Sequence, residues 1–505
     1  MRTINSIKNA IISLIMNFFS ILVGFVAQRV FIYSLGKEYL GINGLFNNVL
    51  SVLCVVELGF GATVVYHLYK PISENNKEYI NILLKFYKKT YRIIATFIFT
   101  LGILIMPFLK DIIGEVNIQE NIYLLFFLAL VDVVLSYLLT YKRSILYANQ
   151  KNYIINLVHL GYIFGVNIIE IILLLNFKNY ILYLLVKIIF RVLENLIINI
   201  IANKMYPFIL EKTDKKLDKE VKNDIYKKIK GLLFHRIGGA IVLGTDNIII
   251  SKFIGITTVG LYSNYSMIIT SLTNLLGQIF SSITAGVGNL LVENDLKKSY
   301  TVYKNILFFN SWIYSLVGIF LLCLLQPFIV LWLGKEFLLP MVVVIILVIN
   351  FYIQGMRKTN AVFKDAAGIF YEDRFIPILE SAVNIIVSVL LVKKMGLIGV
   401  FLGTSISSMI LFLYSYPIFV YKKLFRNSYS EFIFIHLKYF IISIITAIIT
   451  YFFVTRIQIK SNLLTLIFNC LICCIIPNLI YLCAFFKTSE FKYYKNILLQ
   501  VLKKK

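Results

Sequence analysis

The sequence predicts an all-α polytopic membrane protein of about fourteen transmembrane helices, two six-helix lobes followed by two trailing helices. Three observations carry this. Of 505 residues, 59% are hydrophobic and only 15% charged, against roughly 45–50% and about 25% in soluble domains. The apolar residues fall in blocks about 20 long, enough to cross ~30 Å of hydrocarbon. Lys and Arg gather in alternate connections, as orientation in a membrane requires. A soluble core could not hide so much apolar surface, so a soluble enzyme, a nucleic-acid-binding domain and a single-pass receptor are excluded.

The apolar windows lie near 9–35, 40–66, 91–110, 121–141, 153–176, 180–203, 231–253, 259–292, 303–333, 338–357, 375–394, 397–421, 437–456 and 462–486. The first is too long for a signal-peptide core of about 7–15 residues and reads as a retained span. The forty residues from Phe253 to Val292 contain no Asp, Glu, Lys, Arg or His, too many for one span, so a turn is expected at Gly255-Ile-Thr-Thr-Val-Gly260. With the N-terminus inside, only Lys37, Lys110, Lys178, Lys252, Lys335, Lys393, Lys394, Arg456 and Lys460 of the 50 Lys and Arg fall in external segments. The expectation is a bacterial cytoplasmic (inner) membrane protein with both termini cytoplasmic. The net charge of +25 then reflects topology, and no nucleic-acid partner is expected.

The longest inner connection repeats Leu217, Val221, Ile225 and Ile229 among Lys and Asp. That spacing fits either an amphipathic helix in the membrane interface or a solvated linker. It divides the chain into an N-lobe (1–203, spans one to six), a cytoplasmic linker (204–230), a C-lobe (231–421, spans seven to twelve) and a terminal part (422–505) holding spans thirteen and fourteen and a basic tail. A weak internal repeat supports the division. Leu35-Gly36 and Leu40-Gly41-Ile42 match Ile254-Gly255 and Val259-Gly260-Leu261 at an offset of 219 residues. Leu333-Gly334-Lys335-Glu336-Phe337-Leu338 also matches Leu35-Gly36-Lys37-Glu38-Tyr39-Leu40.

Ionisable residues inside spans are costly and usually face a cavity or a partner. Here they are Arg29, Glu57, Asp132, Glu170, Lys187, Arg191, Glu194, Arg236, Asp246 and Glu380. Lys187, Arg191 and Glu194 are spaced i, i+4, i+7 and share a helix face, which Asn195 and Asn199 extend. Two readings stand: a polar wall along a water-filled cavity, or an internal Arg191–Glu194 pair satisfied against a neighbouring helix. Arg29 and Arg236 lie near span ends, where snorkelling competes with a substrate-facing role. Asp246, in Gly244-Thr-Asp-Asn-Ile-Ile-Ile-Ser251, has small polar neighbours that suit a local break or an ion site. Glu57, in Glu57-Leu-Gly-Phe-Gly61, is its counterpart in span two. Carboxylates at such depth are candidates for carrying a coupling ion, and Glu57, Asp132 and Asp246 are named for that role.

The six cysteines sit in apolar stretches, and Cys470-x-x-Cys473 lacks a second pair or a His at zinc spacing. No metal, cofactor or catalytic residue is expected. A P-loop is absent, and no external loop exceeds about a dozen residues, which argues against a membrane polymerase.

Several motifs together resemble the polysaccharide repeat-unit flippases (Wzx type) of the MATE-like MOP exporter superfamily, across essentially the full length. They are Leu35-Gly-Lys-Glu-Tyr-Leu-Gly-Ile-Asn-Gly-Leu-Phe46, Glu57-Leu-Gly-Phe-Gly61, Phe234-His-Arg-Ile-Gly-Gly239, Thr245-Asp-Asn-Ile-Ile-Ile-Ser251, Phe363-Lys-Asp-Ala-Ala-Gly368 and Gly396-Leu-Ile-Gly-Val-Phe-Leu-Gly-Thr404. The resemblance implies two lobes around a central cavity. It also implies a flippase moving undecaprenyl-pyrophosphate-linked oligosaccharide repeat units from the cytoplasmic to the outer leaflet by alternating access, for capsule, O-antigen or other cell-surface polysaccharide assembly. Arg29, Lys187, Arg191 and Arg236 are the cations it assigns to the substrate headgroup. Partners implied are the lipid-linked oligosaccharide, membrane lipids, and the polysaccharide polymerase and glycosyltransferases of the same pathway, with the protein a monomer. The drive is the membrane potential or counter-transport of H⁺ or Na⁺. The alternatives are another exporter of the superfamily, for drugs or lipid II, and, less favoured, a polysaccharide polymerase.

Overall fold

The computed structural model describes the chain apart from residues 1, 58, 59, 115, 117, 212, 214, 294, 370, 371, 457–460, 504 and 505. Side chains at 2–18, 56, 62, 227–237, 240–243, 285 and 501–503 are likewise outside the description. Among the described residues there are helices and no strand. The chain forms two compact units, Met1–Ser263 and Asn264–Lys505.

The first unit holds α1 (Arg2–Leu35), α2 (Lys37–Leu53), a 3₁₀ turn (Cys54–Glu57), α3 (Phe60–Ser73), α4 (Lys77–Ile105), α5 (Leu109–Ile113), α6 (Ile122–Tyr137), α7 (Thr140–Ala148), α8 (Asn152–Phe177), α9 (Tyr180–Met205), α10 (Lys219–Phe253) and the first turns of α11 (Ile256–Val292). The second continues α11 and adds α12 (Leu296–Trp332), α13 (Met341–Ala366), α14 (Ile376–Met395), α15 (Leu397–Ile410), a π-helical stretch (Leu411–Lys422), α16 (Lys423–Phe425), α17 (Tyr429–Arg456), α18 (Asn462–Phe485) and α19 (Ser489–Lys503). Side chains just ahead of the helices supply the acceptors that the first backbone N–H groups lack. Asn76 accepts from Tyr79 N at 2.9 Å, Asn179 from Leu182 N at 3.0 Å and Asp295 from Lys298 N at 3.0 Å.

Each predicted window falls on helix. Nine described helices are long and apolar enough to cross a bilayer, ten if the bent pair α6–α7 is one span. The other windows explain themselves. In span one, side chains are described only from Phe19. Span two is broken by the 3₁₀ turn that ends at Glu57. Span six (α9) carries Lys187, Arg191 and Glu194, and span seven (α10) runs over side chains outside the description. The expected turn is present, with Gly255 at φ 124° between α10 and α11. Gly36 (φ 92°) and Gly334 (φ 113°) occupy equivalent turns. The three matching segments of the sequence therefore share one local need, a residue free of the Cβ penalty at positive φ.

Two readings change. The amphipathic part of the linker is not a separate interfacial helix, because α10 runs from Lys219 to Phe253 without interruption. The linker is tied down within its own unit: Asn81 donates to the carbonyls of Phe208 (3.2 Å) and Glu211 (2.7 Å), and Lys215 pairs with Glu78 at 2.6 Å. Gly244-Thr-Asp-Asn is likewise no helix break. Its small residues let α10 lie close on α2, where a Cβ at Gly244 would meet Val52 and one at Gly44 would meet Ser263. A Cβ at Gly41 would overlap the carbonyl of Ile256, and one at Gly260 the carbonyl of Lys37. Such small-residue contacts are how helices approach when lipid supplies no hydrophobic drive between them.

The seam gives a test. Gly260→Ala places a methyl against backbone that cannot rotate away, so it should destabilise by about 1–3 kcal/mol. Gly277→Ala, which meets open space, should leave the thermal unfolding midpoint of the detergent-purified protein within error of the parent.

Candidate functional site

The polar face predicted on α9 is present, and its partners come from three other helices of the same unit. Arg191 donates from Nε to Asp132 Oδ1 on α6 at 3.1 Å, from Nη1 to Glu194 Oε2 at 2.9 Å and from Nη2 to the Tyr162 hydroxyl on α8 at 3.0 Å. Glu194, fully buried, pairs through its other oxygen with Arg143 of α7 at 3.2 Å and His159 of α8 at 3.0 Å. The His159 ring stacks on Tyr162 with centroids 5.5 Å apart. Asn195 accepts from Arg143 at 3.1 Å and donates to the Leu135 carbonyl at 2.8 Å. Two arginines face two carboxylates, so the formal charges of these four groups balance.

That balance has an electrostatic reason. Desolvating an ion costs several kcal/mol, which a partner offsets only with good geometry and further hydrogen bonds. Here both oxygens of Glu194 are used, and the Arg191 fork is filled on three sides. These contacts take three of the five Arg191 N–H donors, so a phosphate there would have to share the guanidinium with two carboxylates.

The other predicted residues lie as follows. Lys187, one turn before Arg191, is half-buried with its ammonium 4.3 Å from the Tyr183 ring centroid. Glu170 of α8 is buried within the field of that ammonium. Arg29 is exposed on α1. Among the described residues, neither Lys187 nor Arg29 has a carboxylate within 4 Å. Glu57 sits on the 3₁₀ turn that breaks span two, partly exposed, near Gly61 and the Tyr91 hydroxyl. Asp246 is buried on α10. The Arg236 side chain lies outside the described residues. The structure thus joins Asp132 and Arg191, which the sequence assigns to different roles. It adds Arg143, His159 and Tyr162, which no local pattern marks. In the second unit, Glu380 of α14 takes a two-pronged contact from Arg357 of α13, at 2.7 and 3.3 Å.

These bundles of long apolar helices are a fold the chain shares with solved flippases and multidrug transporters. The chain is similar over 97% of its length to the lipid II flippase MurJ in an inward closed conformation, covering 100% of that chain with a TM-score of 0.68 at 16% identity. It is similar to an inward-facing multidrug-resistance MATE transporter of the MOP superfamily (TM-score 0.60, 15% identity, 80% of this chain and 97% of that one). It is also similar to the Vibrio cholerae MATE transporter VcmN (TM-score 0.56, 14% identity, 85% and 99%). No protein-family model and no curated protein matches the sequence.

The cluster should be organised on Glu194. Glu194→Gln keeps the shape but removes the charge that two arginines share, and should destabilise the detergent-purified protein by about 3–5 kcal/mol. Asp132→Asn should cost less, because Arg191 retains Glu194 and the Asp132 side chain is 18% exposed. Denaturant midpoints in the reverse order would place the organising charge on Asp132.

Proposed function

We propose that this protein is a flippase that carries lipid-linked oligosaccharide repeat units, joined through pyrophosphate to undecaprenyl, from the cytoplasmic to the outer leaflet by alternating access. The observation that carries the reading is the extent of the fold match: nearly the whole chain follows a lipid flippase, whereas about a fifth is left over against a MATE drug transporter. The motifs of the polysaccharide repeat-unit flippases supply the substrate class.

The chemistry agrees. A charged, polyhydroxylated headgroup crosses hydrocarbon only if its desolvation is replaced by polar contacts. Arg29 and Lys187 are the cations best suited to the phosphates, since among the described residues neither has a carboxylate within 4 Å; Arg236 is the third candidate. Arg191 contributes through the Asp132–Glu194 cluster. Glu57, Asp132 and Asp246 are the candidates for ion coupling, and Asp132 would act by changing its grip on Arg191. The membrane potential alone contributes about 2.3 kcal/mol per charge per 100 mV to an anion leaving a negative cytoplasm. The apolar groove of about 660 Å³ among α12, α13 and α17 has no charged lining residue and suits hydrocarbon, not the headgroup.

The first experiment reads the sidedness of lipid-linked glycan in depleted cells, with an impermeant glycan-modifying enzyme added to intact spheroplasts. Completed single units should remain protected inside. Units that reach the outer leaflet unpolymerised would identify a polymerase, and unchanged lipid-linked glycan would identify an exporter of other cargo. In complemented cells, Lys187→Ala should lower outer-leaflet delivery roughly tenfold or more, the scale of one charged hydrogen bond, at unchanged protein level. Lys187→Arg should retain most delivery.

A further inference from the structure

Beside the Arg191–Glu194 cluster, the first unit has a cavity of about 470 Å³ among α4, α6, α7 and α9. Three cations line it: Lys88 and Arg92 of α4 and Lys142 of α7, together with Tyr141, Asn195 and Asn199. Consecutive residues of α7 serve different places: Arg143 turns to Glu194, and Lys142 turns to the cavity. Lys142 is buried, with its ammonium held by Asn199 and, at 2.6 Å, by Asn203. These are neutral acceptors, so they orient the charge without cancelling it. The Lys88 and Lys142 ammoniums lie 5.8 and 5.9 Å from the centroid of the same Tyr141 ring. Among the described residues no carboxylate pairs with Lys88, Arg92 or Lys142, and Asp132 and Glu194, on two of the helices that line the cavity, are taken by Arg191, Arg143 and His159.

The rest of the lining is hydrocarbon. Leu138, Val192 and Leu196 line the cavity and are 40%, 38% and 45% exposed, the disposition of side chains that meet lipid. Like charges held together beside an apolar wall favour a ligand with a compact anion at one end and a chain at the other. Lys and Arg bias assigns this end of α4, α7 and α9 to the cytoplasmic side. We propose that the cavity binds the phosphate of an anionic membrane lipid in the cytoplasmic leaflet, with Lys142 as the fixed contact, Lys88 and Arg92 closing on the phosphate, and the lipid chain lying along Leu138, Val192 and Leu196. The site needs no particular glycan and stands independently of the transport reading. A phospholipid and a polyprenyl phosphate carrier present the same chemistry to it.

Native mass spectrometry of the full-length, detergent-purified protein tests this, by titration with phosphatidylglycerol, undecaprenyl phosphate, zwitterionic phosphatidylcholine and inorganic phosphate. In a Lys88→Gln/Arg92→Gln double variant, which leaves the Lys142–Asn199–Asn203 bonds intact, affinity for an anionic lipid should fall about tenfold or more, with phosphatidylcholine retention unchanged. Lys142→Gln should produce a comparable loss. A loss confined to phosphatidylglycerol identifies a phospholipid site, a loss confined to undecaprenyl phosphate a carrier site, and an equal loss one site open to both; each supports the proposal. Unchanged binding of both anionic lipids by both variants would overturn it. So would displacement of bound lipid by millimolar inorganic phosphate, which would make the chain irrelevant.

Discussion

A carboxylate with no exposed surface, Glu194, sets much of the geometry of the first unit. A charge removed from water must be met by partners, and each partner must be brought by a helix. Arg143 brings α7, His159 brings α8, and Arg191 on the same helix turns to Asp132 and so fixes α6. The bend of 41° between α6 and α7 belongs to the same arrangement. It allows Arg143 to reach inward, while Asn195 donates to the Leu135 carbonyl near the point where the helix is interrupted. That carbonyl also accepts the Leu138 N–H at 3.3 Å, so the Asn195 amide is a second donor at the bend.

Close packing relies on glycine in both units. In the first, glycines on α2, α10 and the start of α11 remove side chains where backbones touch. In the second, α14 and α15 form a hairpin at Gly396 (φ 57°), with Gly403 set against Ser388 and Asn384 donating to Thr404 at 3.1 Å. Charge in the second unit is handled by pairs, not by a shared cluster. Arg357 and Glu380 form one. Lys364 and Asp373 form another, with Ser415 donating to Asp373 at 2.9 Å from the π-helical stretch. Pro417 lies within that stretch, and a residue that removes a backbone donor suits a segment whose hydrogen bonds are already shifted from the α register.

What was legible in the sequence is what is local. Apolar length placed the windows on helices, and Gly255 could be read as a turn because forty uncharged residues exceed one span. The stripe of Lys187, Arg191 and Glu194 was visible because i, i+4, i+7 is a property of a single helix. Its partners were not, since Arg143 reads as a loop charge and His159 as a scattered histidine until α7 and α8 are known to flank α9. The same holds for Glu380: Arg357 lies 23 residues away on another helix, and no periodicity links them. Gly244-Thr-Asp-Asn misled for a related reason. Small residues mark a break or a packing face equally well, and only the neighbouring α2 decides.

Counter-charge then sorts the cations along α9 by role. Arg191 is held by two carboxylates, and taking it from them would leave the part-buried Asp132 unpaired and Glu194 with Arg143 and His159 only, a cost that a phosphate would have to exceed. It therefore acts first as a strut. Lys187 lies one turn before it, its ammonium 4.3 Å from the Tyr183 ring centroid and without a carboxylate within 4 Å among the described residues. At the other end, Asn199 holds the ammonium of Lys142, which is met by neutral oxygens alone. From Lys187 to Asn199 the helix rises roughly 18 Å. Over that distance one polar face is closed in its middle by Asp132 and Glu194 and, among the described residues, has a lysine without an ion-pair partner at each end. Affinity for anions belongs to those ends, because there a phosphate gains a cation without sharing it with two carboxylates.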